Sequence, residues 1–258
     1  MSTYSAEEIA VVAASRMIRN GETVFVGVGK PVIATLLAKL THAPDITMVF
    51  ETGIIRDTAC ELPRLLDTLG TQDGATMLAG AEDVNALAAS GRIDLGILGA
   101  GQVDRFGNMN SVAAGDYHRP VLRWPGGGGA NDIGTLCRRT VVLLDQNVRR
   151  LCERVDFVTV PGYLDGTDGA RERAGLLSSG PAAIVTDLAV FGFHEGHAEV
   201  HSVHPEVGLE RLAAATGWDI GSPQATTTDV PTAAELDVLH RVIDPDHIVL
   251  PEPRRVAL

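Results

Sequence analysis

A single carboxylate follows an apolar run in the segment DITMVFETGIIRDTACELP, residues 45–63. The run Ile46–Phe50 has β-branched residues and no charge, which is typical of a parallel strand covered on both faces. The next residues are Glu51-Thr52-Gly53, in which the glycine permits a tight turn. Carboxylates are rarely buried without a partner, and ligands of open α/β sheets bind beyond the carboxyl ends of the strands. Glu51 is therefore a candidate site residue.

The segment WPGGGGAND, residues 124–132, is the second candidate for chemistry. Four consecutive glycines cost backbone entropy and contribute no packing. They suit a loop whose backbone amides approach an anion or an oxyanion closely. The alternative is a flexible surface loop. Trp124 and Pro125 favour a loop that is held in place.

Other polar loops carry weaker candidates. GVGKP, residues 27–31, is a G-x-G turn after a strand, but it matches neither common nucleotide-binding pattern. GAGQVDRFGNMNS, residues 99–111, and GDYHRP, residues 115–120, place polar residues in loops on a rigid scaffold, where binding residues concentrate. His118 is either a general base or a structural histidine with hydrogen-bonded nitrogens.

The cysteines and acidic residues do not predict a metal site. Cys60, Cys137 and Cys152 include no C-x-x-C pair, which excludes the usual disulfide and zinc patterns. We interpret Cys60 as a small buried apolar side chain, with a position facing the Glu51 cleft as the alternative. Turn or capping roles are predicted for four acids on separate turns, namely Asp104, Asp116, Asp132 and Asp145.

Apolar segments alternate with helical patterns along the chain, which predicts an α/β fold with a mainly parallel sheet flanked by helices. All 258 residues are assigned to one domain, 1–258, with more antiparallel pairing after residue 140. The predicted strands of the parallel sheet are 23–27, 46–51, 93–98 and 139–145, with further strands in 155–163 and 182–193. Helices are predicted after the capping box Ser5–Glu8 and in 31–44, 83–92, 205–217 and 232–243.

The amino-acid composition argues against several classes of binding partner. The net charge of −12 and the pI near 5.0 argue against nucleic acid and anionic membranes. Aromatic residues make up only 4% of the chain, so few rings are present for base stacking. No apolar run has the length of a membrane span, and the N-terminal residues do not resemble a signal peptide. We therefore expect a cytoplasmic protein.

Taken in order, these segments resemble the β subunit of class I coenzyme A transferases, most of all the glutaconate CoA-transferase type with its NagB/RpiA-like fold. The matching segments are GVGKP, HAPD, ETGIIRD, ELPR, GAGQVDRFGNMNS, GDYHRP, GGGGAND and VDFVTVPGYLDG. The resemblance implies that Glu51 is the nucleophile and that the run Gly126–Gly129 supplies amides to the thioester carbonyl. The implied thioester contacts are Gly127, Gly128, Gly129 and Asn131, and the implied coenzyme A or substrate contacts are Gly27, Gly29, Gly53, Gln102 and Asn108.

The resemblance also implies the reaction and the partner. Glu51 would attack an acyl-CoA, and the CoA thiolate would convert the resulting anhydride into a glutamyl-CoA thioester. No metal and no bound cofactor is needed, because the coenzyme A thioester is the substrate. A homologous α subunit is implied, in a heterodimer or an α2β2 heterotetramer that holds coenzyme A largely on α.

Two alternatives stay open at this stage. In one, Glu51 is a general base in a CoA-thioester hydrolase, a decarboxylase or a ring-cleaving C–C lyase on the same fold. In the other, the chain is a non-catalytic regulatory subunit.

The motif around Glu51 also lacks the asparagine of the S-E-N-G motif of 3-oxoacid transferases, since Thr52 stands there. For the second carboxylate of a substrate the candidates are Arg56, Arg119 and Arg123, each with a surface or ion-pair role as the alternative.

Overall fold

The structure is a computed structural model that describes residues 4–63, 68–176, 178–222 and 224–250. Arg64, the last residue of the ELPR motif, lies outside the described residues. The described helices are α1 Ala6–Ser15, α2 Lys30–Leu40, α3 Leu69–Gln72, α4 Ala81–Ala89, α5 Ala130–Leu136, α6 Ala170–Arg173, α7 Leu209–Ala214 and α8 Ala233–Val238, which continues as a π-helix over Leu239–Ile243.

Most of the described strands join one large sheet. They are β1 Thr23–Val26, β2 Thr47–Val49, β3 Ile54–Arg56, β4 Met77–Leu78, β5 Leu95–Gly99, β6 Gln102–Asp104, β7 Met109–Asn110, β8 Ala113–Ala114, β9 Leu122–Arg123, β10 Arg139–Leu143, β11 Leu151–Cys152, β12 Pro181–Val185, β13 Ala189–His194, β14 His197–Val203 and β15 Thr226–Thr227. The large sheet has the order β15-β14-β13-β12-β10-β5-β1-β2-β3-β4. The strands β11-β6-β7 and β8-β9 form two smaller sheets.

The centre of the large sheet is parallel and covered on both faces. The strands β12, β10, β5, β1 and β2 pair in parallel, whereas β3 and β4 add an antiparallel edge. Val24 and Val26 pack with α1 and α2 on one face, and Phe25 packs with α4 and α5 on the other. Because neighbouring side chains of a strand point to opposite faces, this alternation makes three layers with the sheet in the middle.

The fold class predicted from the sequence is confirmed. The four strands assigned to the parallel sheet pair as expected, and the antiparallel stretch after residue 140 is the β12-β13-β14 meander. The capping box at Ser5 and Glu8 opens α1, and a second one at Thr232 and Glu235 opens α8.

The prediction of a strand in residues 155–163 is wrong. Only Val160 forms a β-bridge there, with Met109. Pro161 has no N–H to donate to a ladder, and a Cβ on Gly162 would lie 2.3 Å from the backbone of Gly107. This close backbone approach produces a loop, although the alternating valines suggested a strand. Conversely, the predicted loop 99–111 contains the hairpin of β6 and β7.

Among the described residues, no helix combines the length and the apolar character that spanning a bilayer requires. The assignment of residues 1–258 to one domain stays a prediction.

Candidate active site

Glu51 lies in a tight turn at the carboxyl end of β2. The strand itself ends at Val49, and the turn is closed by bonds from the Gly53 N–H to the Phe50 carbonyl and from the Phe50 N–H to the Ile54 carbonyl, at 3.0 and 2.9 Å. Gly53 has φ +96°, and a Cβ there would lie 2.1 Å from the carbonyl oxygen of Ala79. The turn therefore requires glycine at this position, and it projects the half-buried Glu51 from a rigid sheet.

The glycine run contacts Glu51 directly. The Gly129 N–H donates a hydrogen bond of 2.8 Å to Glu51 Oε2. A Cβ on Gly129 would lie 2.7 Å from Oε2, and one on Gly128 would lie 3.1 Å from Oε1. The carboxylate thus rests against bare backbone, which no residue with a side chain would allow without displacement. The glycine amides were predicted to approach a bound anion, and the group that the Gly129 amide contacts in this structure is the Glu51 carboxylate.

Neighbouring groups hold the glycine loop in place. The Trp124 indole covers Gly101 so closely that a Cβ there would lie 2.5 Å from the ring. The backbone N–H of Trp124 also donates to the Val112 carbonyl at 3.0 Å. Beyond the glycines, the Asn131 side chain donates to the Thr159 carbonyl at 2.8 Å. Asn131 therefore fixes the first turn of α5, which positions the Gly129 amide.

A cavity of about 500 Å³ opens between the Glu51 turn and the glycine loop. It lies beyond the carboxyl ends of β1 and β5, where ligands bind in open α/β sheets. Its lining residues include Gly27, Val28, Glu51, Leu98, Gly99, Ala100, Gly101, Ser111, Trp124, Pro125, Gly126, Gly127, Gly128, Ala130, Ile133 and Arg150.

Arg150 is a cavity residue that the sequence analysis missed. Its guanidinium lies 3.5 Å from Asp145 Oδ2, and the other oxygen of Asp145 pairs with Lys30. Arg150 and Asp145 both follow the carboxyl end of β10. The strand-end rule that identified Glu51, under which ligands bind beyond the carboxyl ends of strands, would therefore also have identified them.

Of the predicted coenzyme A or substrate contacts, only Gly27 lies among the lining residues of this cavity. Gly29 has φ +83° and is the N-cap residue directly before α2. Gln102 is buried and bonds to Asp156 Oδ2 and to the Asn110 side chain. Asn108 is buried too, and its amide bonds to Asp104 and to the loop at Gly162. The structure therefore gives the two amide side chains partners within the chain, away from Glu51.

Burial raises the pKa of the Asp104 carboxyl, although hydrogen bonds from Asn108 and from the Asn108 and Phe106 amides oppose that effect. This network closes the β6–β7 turn. Asp116 likewise accepts bonds from the amides of His118 and Arg119. The predicted turn roles of these two acids are thus observed.

The remaining candidates lie outside the cavity lining. His118 is exposed, with its ring edge against Tyr117. Arg119 is exposed as well, and Arg123 donates to the Tyr117 carbonyl. Cys60 packs against the apolar core, and burial raises the pKa of its thiol, as expected for a small apolar side chain.

Arg56 is a structural residue in its contacts. It is 3% exposed and donates to the carbonyl oxygens of Thr71, Asp73 and Ala59 at 2.7, 2.5 and 3.1 Å. We expect Arg56→Lys to lower the free energy of unfolding by about 2–4 kcal/mol, because an ammonium cannot reach all these carbonyls and leaves some unpaired. Urea unfolding measures the loss. If Arg56 bound substrate instead, the variant would keep its stability and raise KM.

The arrangement can perform nucleophilic acyl chemistry. A carboxylate on a rigid turn faces a cavity with one oxygen held by a backbone N–H. Within the described residues, Glu51 Oε1 accepts no hydrogen bond and is free to attack an electrophilic carbonyl. The same described residues include no cluster of histidine, cysteine and acidic side chains suited to a metal ion.

Comparisons with known proteins match most of the chain to one enzyme family. The family model for coenzyme A transferase matches residues 7–215. The β subunit of 3-oxoadipate CoA-transferase from Pseudomonas knackmussii is 39% identical over 93% of each chain. The β subunit of glutaconate CoA-transferase from Acidaminococcus fermentans is 32% identical over 98% of this chain and 97% of its own.

Two solved structures share the fold of this chain. The crystal structure of glutaconate coenzyme A-transferase from Acidaminococcus fermentans superimposes with a TM-score of 0.91 at 30% identity, covering 97% of this chain and 99% of the other. The crystal structure of the decarboxylase AibA/AibB matches with a TM-score of 0.79 at 27% identity, over 93% and 95% of the two chains.

Proposed function

The chain belongs to the coenzyme A transferase family as a β subunit, and from this premise we propose that it transfers coenzyme A from an acyl-CoA to a small mono- or dicarboxylic acid through a thioester on Glu51. The resemblance recognised in the motifs is thus confirmed. The observation that carries the proposal is the hydrogen bond from the Gly129 N–H to Glu51 Oε2 at the wall of the cavity. It leaves Oε1 as the attacking oxygen.

The proposed reaction has two halves, and in each half two acyl bonds form and two break. Glu51 Oε1 attacks the thioester carbonyl, and the C–S bond breaks to give a mixed anhydride and CoA thiolate. The thiolate then attacks Cδ of Glu51, which releases the first acid as its carboxylate and leaves a glutamyl-CoA thioester. A second carboxylate attacks that thioester and, by the reverse steps, departs as the new acyl-CoA. Glu51 is regenerated without any net change in protonation.

The Gly129 amide has a defined part in this sequence. When Oε1 becomes the bridging oxygen of the anhydride, Oε2 becomes the glutamyl carbonyl oxygen. Attack of the thiolate at Cδ then places the negative charge on Oε2, the atom that Gly129 already binds at 2.8 Å. A backbone donor so placed stabilises an oxyanion by about 2.7–4 kcal/mol and needs no reorganisation. Asn131 acts in this proposal by holding the loop rather than by touching the thioester.

We further propose a homologous α subunit as the partner, since the relatives are by name single subunits of larger enzymes. An apolar patch next to the glycine loop supports this. Val121 is 92% exposed and Leu122 is exposed beside it, while Tyr117 stacks on Phe157 with ring centroids 5.3 Å apart. The strand β9 that carries Leu122 leads directly into Trp124 at the cavity. Exposed apolar side chains grouped near a site are typical of interaction surfaces.

We expect Val121→Asp to weaken association with the α subunit by about 10- to 100-fold, because a buried interface would have to desolvate an unpaired carboxylate. Analytical ultracentrifugation of the two purified subunits measures the change. Val242→Asp is the matched control, since Val242 is a 59% exposed valine on the C-terminal π-helix. Equal association by both variants would remove the patch from the interface.

The alternative chemistry is a hydrolase, decarboxylase or C–C lyase in which Glu51 is a general base. Its support here is the likeness to the decarboxylase AibA/AibB, which has a lower TM-score than the likeness to glutaconate coenzyme A-transferase. A general base needs only one free carboxylate oxygen. The Gly129 N–H bound to Oε2 stabilises the reaction only when negative charge develops on Oε2, as it does in the transferase mechanism. The geometry therefore favours the transferase.

The assembled complex of this chain with its α subunit tests the proposal. It is incubated with an acyl-CoA and a panel of carboxylic acids, and the CoA thioesters, free CoA and carbon dioxide are quantified. A transferase forms one new acyl-CoA for each donor consumed, only when an acceptor is present. Release of free CoA without an acceptor, or of carbon dioxide, would show that one of the alternatives is correct.

A further inference from the structure

A cation with unengaged donors faces the cavity that contains Glu51. The Arg150 side chain is 39% exposed and lines this cavity. Within the described residues, its guanidinium contacts one charged group, Asp145 Oδ2, at 3.5 Å. That distance is too long for a strong hydrogen bond, so most of the guanidinium N–H groups remain available to a ligand.

The acidic neighbour of Arg150 neutralises its charge only in part. Asp145 is shared, because its other oxygen pairs with Lys30. One carboxylate therefore faces two cations. By contrast, the Arg139 guanidinium is matched by both oxygens of Glu22, at 2.6 and 2.8 Å. An unmatched positive charge inside a recess attracts anions into it.

Hydrogen bonds on both sides of Arg150 hold its backbone in place. The Arg150 N–H donates to the Asn147 carbonyl at 2.9 Å, and the Arg150 carbonyl accepts from the Val103 N–H at 2.7 Å. The residue therefore connects the loop after β10 to the small sheet at β6. With the backbone anchored, only the side-chain torsions of Arg150 have to be ordered when a ligand binds.

We propose that Arg150 is the specificity-determining residue that binds the second carboxylate of a dicarboxylic acid, while the first carboxylate reacts at Glu51. A guanidinium matches a carboxylate with two parallel N–H···O bonds, and it does so without a proton transfer. The inference rests on the proposed function, because it assigns the other end of that substrate. It also replaces Arg56, Arg119 and Arg123, whose positions lie outside the cavity lining.

The test uses two ligands of equal chain length, glutarate and valerate, which differ by one carboxylate in place of a methyl group. Binding is measured by calorimetry on the assembled enzyme carrying Glu51→Gln, because the neutral amide removes repulsion between Glu51 and the incoming acid. Adding Arg150→Gln is expected to weaken glutarate binding by about 10- to 100-fold and to change valerate binding by less than about twofold. Arg149→Gln, an exposed neighbour outside the cavity lining, is the control and changes neither.

Arg150→Lys adds a second arm, since it keeps the charge but loses the planar fork. Its affinity for glutarate is expected to lie between that of the enzyme with Arg150 and that of the Arg150→Gln variant. Three results would overturn the inference: glutarate binding no tighter than valerate before Arg150 is changed, equal weakening of both ligands, or an effect on acyl-CoA binding alone. Because binding in the Glu51→Gln background requires no thioester, these outcomes are independent of whether Glu51 is the nucleophile.

Discussion

Glu51→Gln is expected to reduce turnover by about 10³-fold or more while the complex assembles and melts as the unchanged enzyme does. The amide keeps the shape of the side chain, and its oxygen can still accept the 2.8 Å hydrogen bond from Gly129. It cannot supply the attacking oxygen. Glu51→Asp is expected to be nearly as damaging, since the carboxylate retreats by one C–C bond and attack geometry is tight at about the 1 Å level.

Turnover and melting temperature measured on the same assembled variant decide the role of Glu51. A carboxylate with only a structural role would give the opposite pattern, with a loss of about 1 kcal/mol in stability and most activity retained. Pairing with Arg56 does not supply such a role, because the Arg56 guanidinium is engaged by backbone carbonyls. Near-normal turnover with a lowered melting temperature would remove Glu51 from the mechanism.

Gly129→Ala is expected to reduce turnover by about 10²-fold with little change in stability. Gly129 has φ −78°, a conformation that alanine adopts freely. The added Cβ would lie 2.7 Å from Glu51 Oε2 and 3.3 Å from Glu51 Cβ, so the carboxylate must move by several tenths of an ångström or more. Displacements near 1 Å in a reacting group cost about this factor.

Gly208→Ala is the matched control for this variant. Gly208 also caps a helix and also has φ −78°, but no atom lies within 4 Å of the position its Cβ would take. It should leave turnover unchanged. Equal turnover of Gly129→Ala and Gly208→Ala in the assembled enzyme would show that contact between the glycine loop and Glu51 does not matter for the reaction.

Local sequence pattern was sufficient for the central sheet because each of its strands is an apolar run between turn residues. It failed for residues 155–163, where alternating valines suggested a strand. Pro161 and the close approach of Gly162 to Gly107 decide that segment, and such a contact between distant segments leaves no periodic signal. The hairpin β6–β7 was missed for a related reason, since its short strands lie within a glycine-rich, polar stretch.

The site was predictable where one residue type had a single physical explanation. The strand-end position singled out Glu51, the four successive glycines indicated backbone close to an anion, and the structure brings the two segments together. Gln102 and Asn108 lie in a polar segment and were expected from the family resemblance to contact coenzyme A or substrate, yet their amides bond within the chain. Whether an amide side chain faces a ligand or its own backbone depends on side-chain direction, which composition does not encode.

The most direct test of the account is to trap the thioester on Glu51. The assembled enzyme is incubated with an acyl-CoA, treated with borohydride and analysed by intact mass and peptide mapping. A glutamyl-CoA thioester is reduced to an alcohol, so the account predicts that the Glu51 peptide, compared with unmodified glutamate, loses one carboxyl oxygen and gains two hydrogens, and that activity is lost permanently. An unmodified Glu51 in enzyme that has turned over its acyl-CoA under the same conditions would contradict the account.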